Sequence, residues 1–224
     1  MPDGNQAEYQ EMDPLKFRDP NFTAKGDQRA TVVLTHLKTL WFNTGSLCNI
    51  SCRNCYMEST PTNDALAYLT LDEMTGYLDE MEREGLGVKE IAFTGGEPFM
   101  NPDLLQMMDQ ALQQNFSVLV LTNAMKPLQH KQAELLTLKE SYGDRLAIRV
   151  SIDHFTEEKH EKIRGIKTWR PMLDGLKWLA ANKFNLAVAG RTCWEENEEE
   201  SRSGYLELFA EEDININPNN SADL

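Results

Sequence analysis

The strongest constraint on this chain is a repeated change of hydrophobic period. Short apolar runs at residues 37–42, 88–94, 117–121, 146–152 and 186–190 alternate with longer stretches whose apolar residues fall three and four apart. Runs of the first kind read as strands and stretches of the second as amphipathic helices. In the fourth run, Leu146, Ile148, Val150 and Ile152 alternate with Ala147, Arg149 and Ser151. Such alternation gives parallel β/α units, because a parallel neighbour is reached only through a crossover long enough to hold a helix. Ile214 and Ile216 add a short sixth run. The expected fold is therefore α/β, a partial (β/α)6 TIM-type barrel with fewer units than a closed one.

The helices carry their own punctuation. Thr70-Leu71-Asp72-Glu73 fits a capping box, and Leu71, Met74, Leu78 and Met81 then mark one apolar face before Gly85. Asn101 reads as the cap of a second helix with Pro102 at its first position and Leu104, Leu105, Met108 and Leu112 buried. Further helices are expected at 132–140, 157–163, 171–181 and late in 195–209. Residues 1–30 are polar, contain Pro2, Pro14 and Pro20, and show no period. They are expected to be poorly ordered, ahead of a core at 31–217 and a tail at 218–224.

In parallel β/α folds the functional residues gather at the C-terminal ends of the strands. The first strand leads into Cys48, Cys52 and Cys55, three of the chain's four cysteines, spaced C-x3-C-x2-C. Three thiolates on one short loop hold three corners of an iron–sulfur cluster and leave one iron open to a small molecule. The plainer reading is a structural zinc site, which wants a fourth protein ligand from Cys193, His36, His130, His154 or His160. Gly95-Gly96-Glu97-Pro98 follows the second strand, Thr122 and Asn123 end the third, and Ser151 and Asp153 end the fourth. Taken singly, the Gly-Pro segment is a common strand-to-helix turn and Ser151 and Asp153 are ordinary polar ends. His154 and His160 read as surface residues of a helix, and Cys193 as a small buried residue.

Charge narrows the partners. Lys and Arg total 22 against 36 Asp and Glu, a net charge of −14, which argues against nucleic acid and anionic membranes. No apolar run is long enough to span a bilayer, and the polar N-terminus is not a secretory signal. Clustered cysteines in that setting suit metal binding in a reducing, cytoplasmic compartment.

C-x3-C-x2-C after the first strand with Gly-Gly-Glu-Pro after the second resembles the radical S-adenosylmethionine (radical SAM) superfamily. The resemblance spans about residues 37–216. It implies a [4Fe-4S] cluster on Cys48, Cys52 and Cys55 that chelates S-adenosyl-L-methionine and cleaves it reductively to abstract a hydrogen atom from substrate. By the same resemblance Gly95, Gly96, Glu97 and Pro98 lie against the methionine amino group. Ser151 and Asp153 contact ribose or carboxylate, and Asn123 and Arg191 are assigned to the cofactor by position. Arg164, in Ile-Arg-Gly, resembles a position of the peptide-modifying branches. The family often has an aromatic residue before the third cysteine; here it is Asn54, whose contact to adenine is through backbone, and Tyr56 offers an aromatic surface instead. The implied partners are a flavodoxin- or ferredoxin-like electron donor and a peptide or small-molecule substrate. Cys193 alone cannot build the auxiliary clusters of many peptide-modifying members, which leaves a minimal core or a truncated longer chain. The competing reading is a non-catalytic β/α binding module stabilised by zinc or an inert cluster.

Overall fold

Five strands form one open, wholly parallel sheet in the order β1-β2-β3-β4-β5: β1 Thr39–Asn43, β2 Glu90–Thr94, β3 Ser117–Thr122, β4 Leu146–Ser151 and β5 Asn185–Ala189. They belong to a computed structural model that describes residues 18–33, 36–192 and 195–224. Between them run α1 Leu71–Arg83, α2 Leu104–Gln113, α3 Lys126–Gln129, α4 Gln132–Tyr142, α5 Glu157–Arg164 and α6 Trp169–Ala181, and α7 Glu198–Glu211 follows β5. The register aligns the strand ends: Asn43 pairs with Thr94, Thr122 with Val150, and Ser151 with Ala189.

One face of the sheet holds the main core. Ile91, Phe93, Val118, Val120, Leu146, Ile148, Val150 and Val188 pack with Met74 and Leu78 of α1, Met107, Met108 and Leu112 of α2, and Leu173 and Leu176 of α6. The opposite face carries Ala92, Leu119, Ala147, Arg149 and Ser151 by strand alternation. Helix α6 comes unusually close to the loop after β3, since a Cβ on Gly175 would lie 1.8 Å from the Ala124 carbonyl oxygen.

Three local expectations are corrected. The sixth strand does not form among the described residues. Ile214 and Ile216 are buried in a loop, with the Ile214 N–H donating to the Phe209 carbonyl at 2.8 Å and Asp213 at φ 56. Their alternation serves to close the end of α7 rather than to pair with β5. Asp103 holds the cap position of α2, and Asn101 stands two residues ahead of it, its Oδ1 accepting from the Asp103 N–H at 2.8 Å. The Asn101 amide nitrogen donates to the carbonyls of Thr44 and Leu69, at 3.0 and 2.8 Å, stitching the β1 loop to the start of α1. His154 and His160 are buried, not surface residues, at 3% and 0% exposure. The capping box of α1 forms as read, with Thr70 and Glu73 bonded reciprocally.

The contacts divide the chain into Met1–Thr35 and His36–Leu224. In the first unit, residues 1–17 lie outside the described residues, while Asn21 to Arg29 form a small hairpin closed by a Phe22–Gln28 bridge. In the second unit, the C-terminal loop runs along the outer edge of β5, where the Val188 N–H donates to the Asp223 carbonyl at 2.7 Å. No helix of the described residues is long and apolar enough to cross a membrane.

Candidate functional site

The cysteine loop is fixed from several sides. Leu47 bridges Thr60, and the Cys48 N–H donates to the Thr60 carbonyl at 3.1 Å. Cys55 N–H to Cys52 carbonyl (3.4 Å) and Glu58 N–H to Cys55 carbonyl (3.0 Å) wind the following turns. Asn54 sits there at φ 60, a left-handed conformation that asparagine tolerates better than most residues. The Arg53 N–H donates to the Ile163 carbonyl at 2.6 Å, so the end of α5 also grips the loop.

Gly95 and Gly96 pass against this loop. The Gly96 N–H donates to the Gly45 carbonyl at 2.8 Å and the Glu97 N–H to the Leu47 carbonyl at 3.0 Å. A Cβ on Gly96 would stand 2.1 Å from the Leu47 oxygen, so only glycine permits the approach. Glu97 itself is buried. Its carboxylate accepts from Thr122 Oγ1 (2.7 Å), Asn123 N–H (2.8 Å) and Phe99 N–H (3.3 Å), which ties the end of β2 to the end of β3. Burial raises the Glu97 pKa against the lowering effect of those donors. The Asn123 amide is held by Met125 N–H at its oxygen (3.0 Å); its nitrogen donates to Asn49 Oδ1 at 2.8 Å and faces Cys48 Sγ at 4.0 Å.

Asp153 is also buried, and it anchors two arginines. Arg164 meets it through Nε and Nη2 at 3.0 and 3.2 Å, and Arg191 through Nε at 2.9 Å. One carboxylate against two guanidiniums leaves a net positive charge at this point. Nearby, His154 accepts from the Thr156 N–H at Nδ1 (2.9 Å), which leaves its Nε2 proton toward Glu196 Oε1 at 3.1 Å. Glu196 is paired with Lys159 as well.

A cavity of about 170 Å³ opens where these strand ends meet. Cys48, Cys52, Cys55 and Tyr56 line it from the β1 loop, Gly95 and Gly96 from the β2 loop, and Asn123, Ser151 and Arg191 from the ends beyond. Asn54, Glu97, Pro98 and Asp153 do not line it. Arg164 and Thr122 do, together with Ile50, Ser59, Thr94 and Leu121, which sequence reasoning passed over. Thr94 and Leu121 were findable: they share the strand face of Ser151. Ser59 gave no signal at all.

The lining suits an iron–sulfur cluster with an open position. All three thiols reach one cavity. Burial pushes the Cys48 thiol up to about 12 and raises Cys52 as well, Arg164 opposing in each case. Thiols held protonated in this way ionise when a metal takes the proton's place. Ser59 Oγ is buried, lines the cavity and has no hydrogen-bond partner. Among the described residues no three His, Cys, Asp or Glu side chains form a group that would hold a single metal ion. His154 and His160 do not line the cavity, and Cys193 lies outside the described residues.

A family model described as the Radical SAM superfamily matches residues 42–202. The chain belongs to that superfamily. It is 32% identical over 120 residues to the antilisterial bacteriocin subtilosin biosynthesis protein AlbA of Bacillus subtilis, covering 54% of this chain and 25% of AlbA. It is 28% identical over 132 residues to a probable GTP 3′,8-cyclase of Pyrococcus horikoshii, covering 58% of this chain and 39% of the cyclase. The fold is shared with Streptococcus suis SuiB, solved bound to S-adenosylmethionine (TM-score 0.64, 13% identity, 81% of this chain and 40% of SuiB). SuiB has also been solved bound to its precursor peptide SuiA. The chain thus spans between a quarter and two-fifths of these radical SAM relatives.

Proposed function

We propose that this chain is the core of a radical SAM enzyme that acts on a peptide or a small molecule. The observation that carries the reading is the convergence of three thiols, two strand-end glycines, Asn123, Ser151 and an arginine pair on one cavity. Cys48, Cys52 and Cys55 would hold a [4Fe-4S] cluster, and S-adenosylmethionine would take its open iron. When bound, the pair supplies a one-electron reductive cleavage whose 5′-deoxyadenosyl radical abstracts a hydrogen atom from substrate. The remaining work falls to this chain. Arg191 and Arg164, aimed by Asp153, offer positive charge to the methionine carboxylate. Backbone carbonyls of the Gly95–Gly96 segment accept from the methionine amino group, and Ser151 offers its hydroxyl to ribose or carboxylate. Tyr56, 80% exposed at the rim, gives a flat surface for adenine. An electron donor of flavodoxin or ferredoxin type would reduce the cluster. A peptide substrate is favoured by the SuiB likeness, given SuiB's complex with a precursor peptide.

The test is anaerobic purification, reconstitution with iron and sulfide, and reduction by dithionite with S-adenosylmethionine present. The expected product is 5′-deoxyadenosine, absent from the Cys48→Ala, Cys52→Ala and Cys55→Ala variants. Product formation by Cys52→Ala at the wild-type rate would refute the proposal. One zinc per chain without acid-labile sulfide would return the reading to a structural metal module.

A further inference from the structure

Among the described residues around the cavity, Ser59 is the one whose hydroxyl is both buried and without a partner. Asn123, Thr122, Arg164 and Arg191 all have hydrogen-bonded partners within the chain. The Ser59 hydroxyl is buried and has none, although it lines the same space as the thiols. Its residue is 4% exposed. An unsatisfied buried hydroxyl is costly, so native chains retain few of them without a use.

The backbone around Ser59 is held on both sides, and the residue is shut away from water. On one side Glu58 closes the turn onto the Cys55 carbonyl, and the Asn63 amide donates to the Glu58 carbonyl at 2.9 Å. On the other side Thr60 pairs with Leu47 and accepts from Cys48 N–H. Ser59 is thus clamped between the segments that carry Cys55 and Cys48. Cys48 is already served: the Ile50 backbone N–H bonds to it, and the Asn123 amide nitrogen faces its sulfur at 4.0 Å. The hydroxyl therefore awaits an acceptor that enters with the cluster.

We infer that Ser59 Oγ donates a hydrogen bond to a sulfur atom of the cluster held by Cys48, Cys52 and Cys55, and thereby sets its reduction potential. This rests on the cluster assignment proposed above. A donor on a cluster sulfur stabilises the reduced, more negative state more than the oxidised one, so it raises the potential. The hydroxyl is satisfied only in the loaded protein, and its removal has opposite consequences for the two forms.

The experiment compares wild type with Ser59→Ala and Ser59→Thr, reconstituted and without S-adenosylmethionine. Midpoint potentials are read by redox titration followed by electron paramagnetic resonance, and the stability of the metal-free proteins by urea denaturation. Ser59→Ala is expected to be at least as stable as wild type without metal, yet to have a more negative midpoint potential. Ser59→Thr, which keeps the hydroxyl, is expected to stay nearer wild type in potential. An unchanged potential in Ser59→Ala overturns the inference. An unchanged potential with weakened S-adenosylmethionine binding overturns it too, and assigns the hydroxyl to that ligand. Failure of wild type to assemble a cluster overturns both this inference and the proposed function, whereas a wild-type cluster with an indifferent Ser59→Ala overturns this inference alone.

Discussion

Replacing Gly96 by alanine tests how the site is built. The added Cβ would lie 2.1 Å from the Leu47 carbonyl oxygen, 2.6 Å from its carbon and 2.8 Å from the Ser46 oxygen. All three are backbone atoms, so no flexible side chain can yield. Real Cβ contacts almost never fall below 3.0 Å, so the two loops must separate by about 1 Å. That movement strains the Gly96–Gly45 and Glu97–Leu47 hydrogen bonds, each worth about 1 kcal/mol, and adds overpacking of about 1–3 kcal/mol. The expected loss is about 3–5 kcal/mol. It falls one residue from Cys48, so iron content after reconstitution should drop as well. Gly76, on exposed α1 with nothing within 4 Å of an added Cβ, is the matched control. Gly76→Ala should be neutral or stabilise by up to about 1 kcal/mol through helix propensity. Urea denaturation of the metal-free proteins and iron analysis check both. A Gly96→Ala variant within about 0.5 kcal/mol of wild type and fully loaded with iron would refute the close packing of these loops.

Two further outcomes follow from buried charge. Asp153→Asn removes the carboxylate shared by Arg164 and Arg191 and should cost about 3 kcal/mol, because an uncompensated partly buried charge is left behind; a loss below about 1 kcal/mol in urea would show that Asp153 is not their anchor. His160 is fully buried with both ring nitrogens unbonded, and burial, reinforced by Arg164, lowers its pKa from 6.5 to about 4. The unfolded chain therefore takes up this proton near pH 6.5 while the folded chain resists until about pH 4, so stability falls as pH drops through that window. The contribution of this one group is at most about 3 kcal/mol. His160→Leu should flatten the acid limb of urea midpoints measured between pH 7 and pH 4.5, and an unchanged slope would place the acid sensitivity elsewhere.

Much of the architecture was legible in the chain because it is encoded locally. Short apolar runs marked all five strands to within two residues, and Thr70 with Glu73 announced the start of α1. Strand-end position then singled out the three cysteines, Gly95, Gly96, Asn123 and Ser151, which line one cavity, and also Glu97, Pro98 and Asp153, which do not; Arg191, which lines it, came from the family resemblance. Local pattern misled where one residue type serves two ends. Ile214 and Ile216 alternate like a strand, yet they close α7 against the core. Asn101 accepts the Asp103 N–H ahead of α2 like a cap, yet its amide nitrogen also ties together Thr44 and Leu69, the two ends of the β1–α1 connection.

The sequence by itself determined the α/β class, the order of the elements and the three cysteines, since period, spacing and turn chemistry act over a few residues. Only the tertiary structure decided which polar groups are spent and which remain. Glu97 is used by Thr122 and Asn123, and Asp153 by one arginine at the end of α5 and another in the loop after β5, while Ser59 is left without a partner. Those outcomes depend on contacts between residues distant in the chain and on which of them are shut away from water. Neither the spacing nor the type of a residue carries that information.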